Sequence, residues 1–196
     1  MSKVGLYFGS FNPVHVGHLI VAQTVCELKG LDQVWFIPSP QNPFKAQKSL
    51  LSEYDRLEMV RLAIAGNPLL DVCDLEYELP KPSFTIDTLQ ALGAQYPDHQ
   101  FFVLVGEDNL KHFEKWKKAE ELVLHYHFLV FPRPHAELTH WHQHPAFTLL
   151  KDVPLMDISA TFIRNKRAKG QSIAYLVPQD VENYILMNDF YSSELY

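Results

Sequence analysis

Short apolar runs recur along the chain, and most of them stop at glycine or proline. Val4 to Phe8 ends at Gly9, Gln33 to Ile37 at Pro38, Gln100 to Val105 at Gly106, and His127 to Phe131 at Pro132. Apolar and polar positions scarcely alternate within them, which predicts strands covered on both faces. Leu70 to Cys73 and Phe147 to Leu150 read as shorter strands of the same kind. Helical spacing fills the intervals. From His18, Leu19, Ala22 and Cys26 recur on one face, and Lys29-Gly30 closes the helix with a cation and a glycine. Ser52 and Asp55 form a capping-box-like pair at the head of a helix through about Ala65, with Leu57, Val60 and Ile64 along one face. Ser83 or Thr85 caps a helix carrying Ile86, Leu89 and Leu92. A helical region centred on Trp116 runs from about Asp108 to Leu124, and Ser159 to Lys169 and Pro178 to Phe190 read as helices. Gly9 to Gly17, Ser39 to Lys48, Glu76 to Pro82 and the histidine-rich Pro134 to Pro145 read as loops.

Strands separated by helices predict a doubly wound, Rossmann-like α/β fold: a parallel sheet with helices on both faces. The last part, about 157–196, adds a small helical region, and the whole of 1–196 reads as one domain without a linker or an internal repeat. Ligands of such sheets bind at the carboxyl ends of the strands, where the strand order reverses. The glycine-ended first and fourth strands therefore mark the expected site.

Composition narrows the function classes. The chain has 196 residues, a net charge of -6, 47% hydrophobic and 20% charged residues, an ordinary globular balance that argues against disorder. No run approaches the about 18 uncharged apolar residues of a membrane span, and the N-terminal apolar run is too short for a secretory signal. Cys26 and Cys73 stand apart, so a disulfide framework is not expected and a cytoplasmic, reducing location is. The acidic balance argues against nucleic acid as a partner. It leaves room for a small anion held by a few local cations.

The loop after the first strand carries the strongest chemistry. Gly9 permits a sharp turn and close approach of a ligand, and Gly17 clears the head of the following helix. A helix N-terminus offers unpaired N–H groups and partial positive charge, which suits phosphate. His15 and His18, three residues apart, share one face of that first turn. Near the C-terminus, Ser159 and Thr161 offer hydroxyls at another helix head, and Arg164 supplies a bidentate phosphate donor. His135, His140, His142 and His144 have metal-like spacing but no cysteine among them, and they read as a surface loop. The lysines around Trp116 and after Arg164 read as solvated helix faces.

Gly9-x-Phe11-x-Pro13-x-His15-x-Gly17-His18 resembles the GxFxPxHxGH signature of the nucleotidyltransferases with an HxGH motif, and Ile158-Ser159-Ala160-Thr161-Phe162-Ile163-Arg164 resembles their ISSTxIR motif, with Ala160 for the second serine. Within that group the whole chain resembles the bacterial nicotinate-mononucleotide adenylyltransferases. Gln41 to Lys45 stands at the family's basic substrate loop, and Pro82-Ser83-Phe84-Thr85-Ile86-Asp87-Thr88-Leu89 resembles its PSYTxDTL segment, with Phe84 for tyrosine. Val105-Gly106-Glu107-Asp108 resembles its GxD turn, Trp116 its downstream tryptophan, and Phe131-Pro132-Arg133-Pro134 its next strand end.

The resemblance implies a reaction of ATP with nicotinate mononucleotide that gives nicotinate adenine dinucleotide and pyrophosphate, with Mg²⁺ bound alongside ATP. It implies His15, His18 and Arg164 as catalytic. Gly9, Ser10, Phe11, Gly106, Asp108, Ile158, Ser159 and Thr161 join those three in binding ATP. Ser10, Phe11, Lys45, Thr85, Trp116 and Arg133 meet the mononucleotide, and no protein metal site is implied. A nicotinamide-mononucleotide or pantetheine-phosphate adenylyltransferase, or a non-catalytic nucleotide sensor, stays open as an alternative, as do acid-versus-amide preference and the oligomeric state, with a homodimer among the expectations.

Overall fold

The computed structural model describes residues 1–40 and 50–192. Six strands, β1 (Ser2–Gly9), β2 (Gln33–Pro38), β3 (Leu70–Val72), β4 (His99–Gly106), β5 (His127–Phe131) and β6 (Phe147–Leu149), form one sheet in the order β3-β2-β1-β4-β5-β6. Every pairing is parallel. The order reverses between β1 and β4, which is the switch point of a doubly wound fold. Six α-helices surround the sheet: α1 (Val16–Lys29), α2 (Glu53–Ile64), α3 (Thr85–Gln95), α4 (Ala119–His125), α5 (Ala160–Ala168) and α6 (Gln179–Met187).

Burial on both faces explains the continuous apolar runs. In β1, Val4 and Leu6 enter one core and Tyr7 the other; in β4, Phe101, Val103 and Val105 face the first and Leu104 the second. The core that holds Tyr7 and Leu104 is covered by α1, α2, α5 and α6, through Val21, Val25, Met59, Val60, Ile163 and Ile185. On the opposite face, α3 and α4 lie over the sheet through Ile86, Leu89, Leu92 and Leu122. The C-terminal helical region is thus part of a core: α6 packs on α2, and the Tyr184 hydroxyl donates to Asp55 Oδ1 at 2.9 Å.

Several boundaries differ from the sequence expectation, each for a local reason. Helix α1 starts at Val16, because extended His15 is its N-cap. The region around Trp116 is not one helix: a 3-10 segment, Glu107–Lys115, is followed by Lys118 at φ 56° before α4 begins. At α3 neither Ser83 nor Thr85 is the cap. Phe84 takes that position without a side-chain bond, since the Ser83 hydroxyl is committed to a carboxylate, Glu76. A 3-10 turn, Leu75–Tyr77, opens the segment expected to be loop, and α6 is shorter than expected, Gln179–Met187. Ser52 does cap α2, accepting the Asp55 amide at 3.1 Å. Among the described residues no helix is long and apolar enough to cross a membrane.

Candidate active site

A cavity of about 500 Å³ opens at the carboxyl ends of β1 and β4. That volume suits a small-molecule ligand. It runs from the heads of α1 and α5 at one end to the head of α3 and Trp116 at the other.

At the first end the turn that starts α1 ties its two histidines together. The His15 amide donates to His18 Nδ1 at 3.2 Å, and the His18 amide donates to the His15 carbonyl at 2.9 Å. With Nδ1 accepting, a neutral His18 carries its proton on Nε2. The two rings stack, centroids 3.6 Å apart. Phe11 and Tyr7 meet the His18 ring edge-to-face at 5.1 and 5.9 Å. Phe11 holds this place with φ at 45°, an uncommon backbone conformation for a bulky residue. Gly17 sits in a tight place, where a Cβ would lie 3.1 Å from His15 Nδ1. The Val16 amide is spent on the Leu176 carbonyl at 3.0 Å, so Gly17 supplies the remaining donor of the first turn. His15 is 4% exposed. Burial, helped by the Arg133 guanidinium, lowers its pKa to about 4, so it is neutral at physiological pH.

The C-terminal motif meets the same loop. Ser159 caps α5 by accepting the Phe162 amide at 3.2 Å. Arg164 donates to the Asn12 carbonyl at 2.8 Å and to Thr161 Oγ1 at 3.3 Å. Asn12 Oδ1 in turn accepts the Tyr191 hydroxyl at 2.7 Å and the Leu51 amide at 3.3 Å. Ile158, Ser159, Thr161 and Arg164 all line the cavity. Among the described residues, three buried polar atoms of lining residues have no hydrogen-bond partner: Ser10 Oγ, His15 Nδ1 and Arg164 Nε. Buried groups of this kind are normally satisfied.

At the end of β4, Gly106 allows a close crossing of two charged side chains. A Cβ there would lie 2.5 Å from Asp108 Oδ1 and 3.1 Å from Arg133 Cγ. Asp108 and Arg133 face each other at 3.7 Å, and both line the cavity. At the far end, Thr85 is the first residue of α3, and Trp116 lies against the buried Phe113 with centroids 5.1 Å apart. Lys45 lies outside the described residues.

Sequence reasoning missed the buried framework beneath these side chains. Arg56 is fully buried, and its guanidinium donates to four backbone carbonyls: Ser10 at 2.6 Å, Ser39 at 2.8 Å, Pro40 at 3.0 Å and Leu51 at 3.1 Å. It clamps the β1 loop to the end of β2. Glu76, 2% exposed, accepts the Ser83 and Thr88 hydroxyls at 2.7 and 2.8 Å and is also bonded by the Ser39 side chain. Burial raises its pKa, and these hydroxyls pull the other way. One signal for Arg56 exists in the sequence, since it falls three and four residues before Met59 and Val60, on the apolar face of α2. Glu76 sits in a 3-10 turn and has no periodic signal. The histidines of the polar stretch are engaged locally: His142 with Glu107 at 3.2 Å and with Thr139, and His144 Nδ1 with the Ala146 amide.

Comparison with known proteins shows the family to which the chain belongs. The sequence model of the cytidylyltransferase-like family matches residues 6–166. A Cytophaga hutchinsonii protein carrying the name "probable nicotinate-nucleotide adenylyltransferase" is 49% identical over 191 residues, covering 97% of this chain and 99% of its own. A Bacteroides fragilis protein of the same name is 42% identical, covering 94% and 92%. The fold is similar to that of the Plasmodium falciparum nicotinic acid mononucleotide adenylyltransferase solved with NaAD, with a TM-score of 0.83 at 20% identity and both chains covered in full. The chain belongs to the cytidylyltransferase-like family and, within it, to the nicotinate-nucleotide adenylyltransferases.

Proposed function

We propose that this protein joins ATP to nicotinate mononucleotide, giving nicotinate adenine dinucleotide and pyrophosphate, a step in making NAD. The observation that carries the reading is a cavity flanked by the N-termini of α1 and α5 and lined by His15, His18, Ser159, Thr161 and Arg164. Donors gathered in this way suit phosphoryl oxygens. The names of the relatives supply the acceptor.

In this reading the triphosphate lies between the heads of α1 and α5. His15, His18 and Arg164 act on it, with Ile158, Ser159, Thr161 and the loop Gly9-Ser10-Phe11 around them. Gly106 and Asp108 meet the ATP ribose. Ser10, Phe11, Lys45 and Arg133 serve the mononucleotide, whose ring lies by Thr85 and Trp116. A phosphate oxygen of the mononucleotide attacks the α-phosphorus in line, and the bond to the β-phosphate oxygen breaks. The nucleophile is already ionised at neutral pH, so the chain supplies no general base. Catalysis is positioning and charge stabilisation. Neutral His15 and His18 act as hydrogen-bond donors to the charge that develops, and Arg164 holds the departing pyrophosphate. Among the described residues no three His, Cys, Asp or Glu side chains gather to hold a metal. A divalent ion, Mg²⁺ in this proposal, therefore fits as an ion carried by the triphosphate, with most of its waters kept.

The test is direct. Purified protein with ATP and Mg²⁺ is offered nicotinate mononucleotide, nicotinamide mononucleotide and phosphopantetheine in parallel, and product and pyrophosphate are quantified. Dinucleotide from the nicotinate acceptor is expected. Product from phosphopantetheine alone, or from no acceptor, overturns the reading.

A further inference from the structure

The pyridine end of the cavity holds a cation that neither the motifs nor the mechanism above employs. Lys117 follows Trp116 directly and lines the cavity beside Phe84 and Thr85. Its ammonium is 2.8 and 3.0 Å from the two carboxylate oxygens of Asp87 and stands over the Phe84 ring, 4.7 Å from its centroid. Asp87 lies in the first turn of α3, and Phe84, the N-cap, offers that turn no side-chain bond. Two sources of positive potential therefore meet at one place, the uncapped head of α3 and the Lys117 ammonium. Asp87 is their counter-ion, and both side chains of the pair are partly exposed, at 42% and 35%. Such a pair is weak and exchangeable.

We propose that Lys117 is a specificity-determining residue that favours a pyridine carboxylate over the neutral carboxamide. This rests on the nicotinate-mononucleotide reading and deepens it. The ammonium is shared between Asp87 and the incoming carboxylate, so the acid gains a Coulombic contact that the amide lacks. The Phe84 ring beneath it limits how far the stem swings, through a cation–π contact. An interaction at a half-exposed site of this kind corresponds to about a two- to fivefold preference.

The experiment measures kcat/KM for nicotinate and nicotinamide mononucleotides with wild type, Lys117→Gln, Lys117→Arg and Asp87→Asn. Melting temperatures and the KM for ATP serve as controls. The acid-to-amide ratio should fall about two- to fivefold in Lys117→Gln, mainly through KM for the acid, be retained in Lys117→Arg, and hold or rise in Asp87→Asn. An unchanged ratio in Lys117→Gln overturns the assignment. So does an equal fall for both acceptors in Lys117→Gln and Lys117→Arg, which marks a purely structural residue. Failure of the wild type to use either mononucleotide instead overturns the underlying function. The wild-type arm thus separates the two failures.

Discussion

In the proposed reaction the two ends of the cavity both meet anions, but they are built from different materials. At the triphosphate end the donors come from two short segments, each a helix head with its own polar side chains: His15, Gly17 and His18 on α1, and Ser159, Thr161 and Arg164 at α5. At the pyridine end the wall is Trp116, backed by the buried Phe113, and Lys117, set around an α3 head that Glu76 anchors through Ser83 and Thr88. The first end is local chemistry that carries its own geometry. The second depends on buried supports outside its own helix head, Phe113 behind Trp116 and Glu76 beneath Ser83 and Thr88. Function at the first should therefore be lost by changing one donor, and at the second by loosening a support.

The largest effect belongs to the first end. His18→Ala removes the transition-state donor of the proposed mechanism, whose ring is gripped by His15, Phe11 and Tyr7. It should lower kcat about 10²- to 10³-fold with little change in melting temperature. A folded variant with near-normal turnover would break the comparison. Next is Arg56, which supports both ends through Ser10 and Ser39. Arg56→Met strands four buried carbonyls. The cost should be about 3–4 kcal/mol, read from the urea midpoint. A loss under about 1 kcal/mol would mean that the clamp is replaceable by water.

The same contrast explains what could be read from the sequence. The sheet was legible because strands buried on both faces must be apolar at successive positions, as in Val103-Leu104-Val105. The parallel pairing and the switch beside β1 and β4 followed from helices set between strands. The segments around His15 and Arg164 stood out because helix-head chemistry needs fixed residue types at fixed spacing. Glu76 and Ser39 were not legible, and Arg56 only through its place on the apolar face of α2. Their partners are backbone carbonyls and hydroxyls brought near only by the fold, and a buried charge looks in sequence like a solvated one. The α3 cap was misjudged for the same reason: Ser83 is a good capping residue locally, but Glu76 is the stronger acceptor once the chain is folded. The break at Lys118 has no glycine to announce it.

A third expectation uses pH to separate the ends. His15 has its pKa lowered from 6.5 to about 4 by burial and then by Arg133. The unfolded chain therefore binds this proton more readily than the folded one. The stability contribution is present above pH 6.5 and is lost as pH falls towards 4. Integrated from pH 7 to pH 4, it amounts to about 3 kcal/mol. Urea midpoints of wild type and His15→Gln across that range should show the shallower dependence in the variant. Parallel curves would show that His15 does not carry the proton release.

The smallest effect concerns the support at the pyridine end. Glu76→Gln keeps the size of the side chain but replaces one acceptor oxygen with an NH₂ donor. Either Ser83 or Thr88 must then turn its hydroxyl to accept, and Thr88 has an alternative acceptor in the Phe84 carbonyl at 3.3 Å. The loss should be about 1–2 kcal/mol of stability, because the bonds from Ser83, Thr88 and Ser39 lose the carboxylate's charge while Thr88 keeps another acceptor. The kinetic signature discriminates more sharply than the stability. Ser83 precedes the head of α3, whereas nothing in α1 or α5 bonds to Glu76 among the described residues. KM for the mononucleotide should therefore rise a few-fold, roughly the factor that 1 kcal/mol represents, with KM for ATP unchanged. A matched rise in both would show that the two ends move as one body through Ser39 and Arg56, and that the separation drawn between them is one of composition alone.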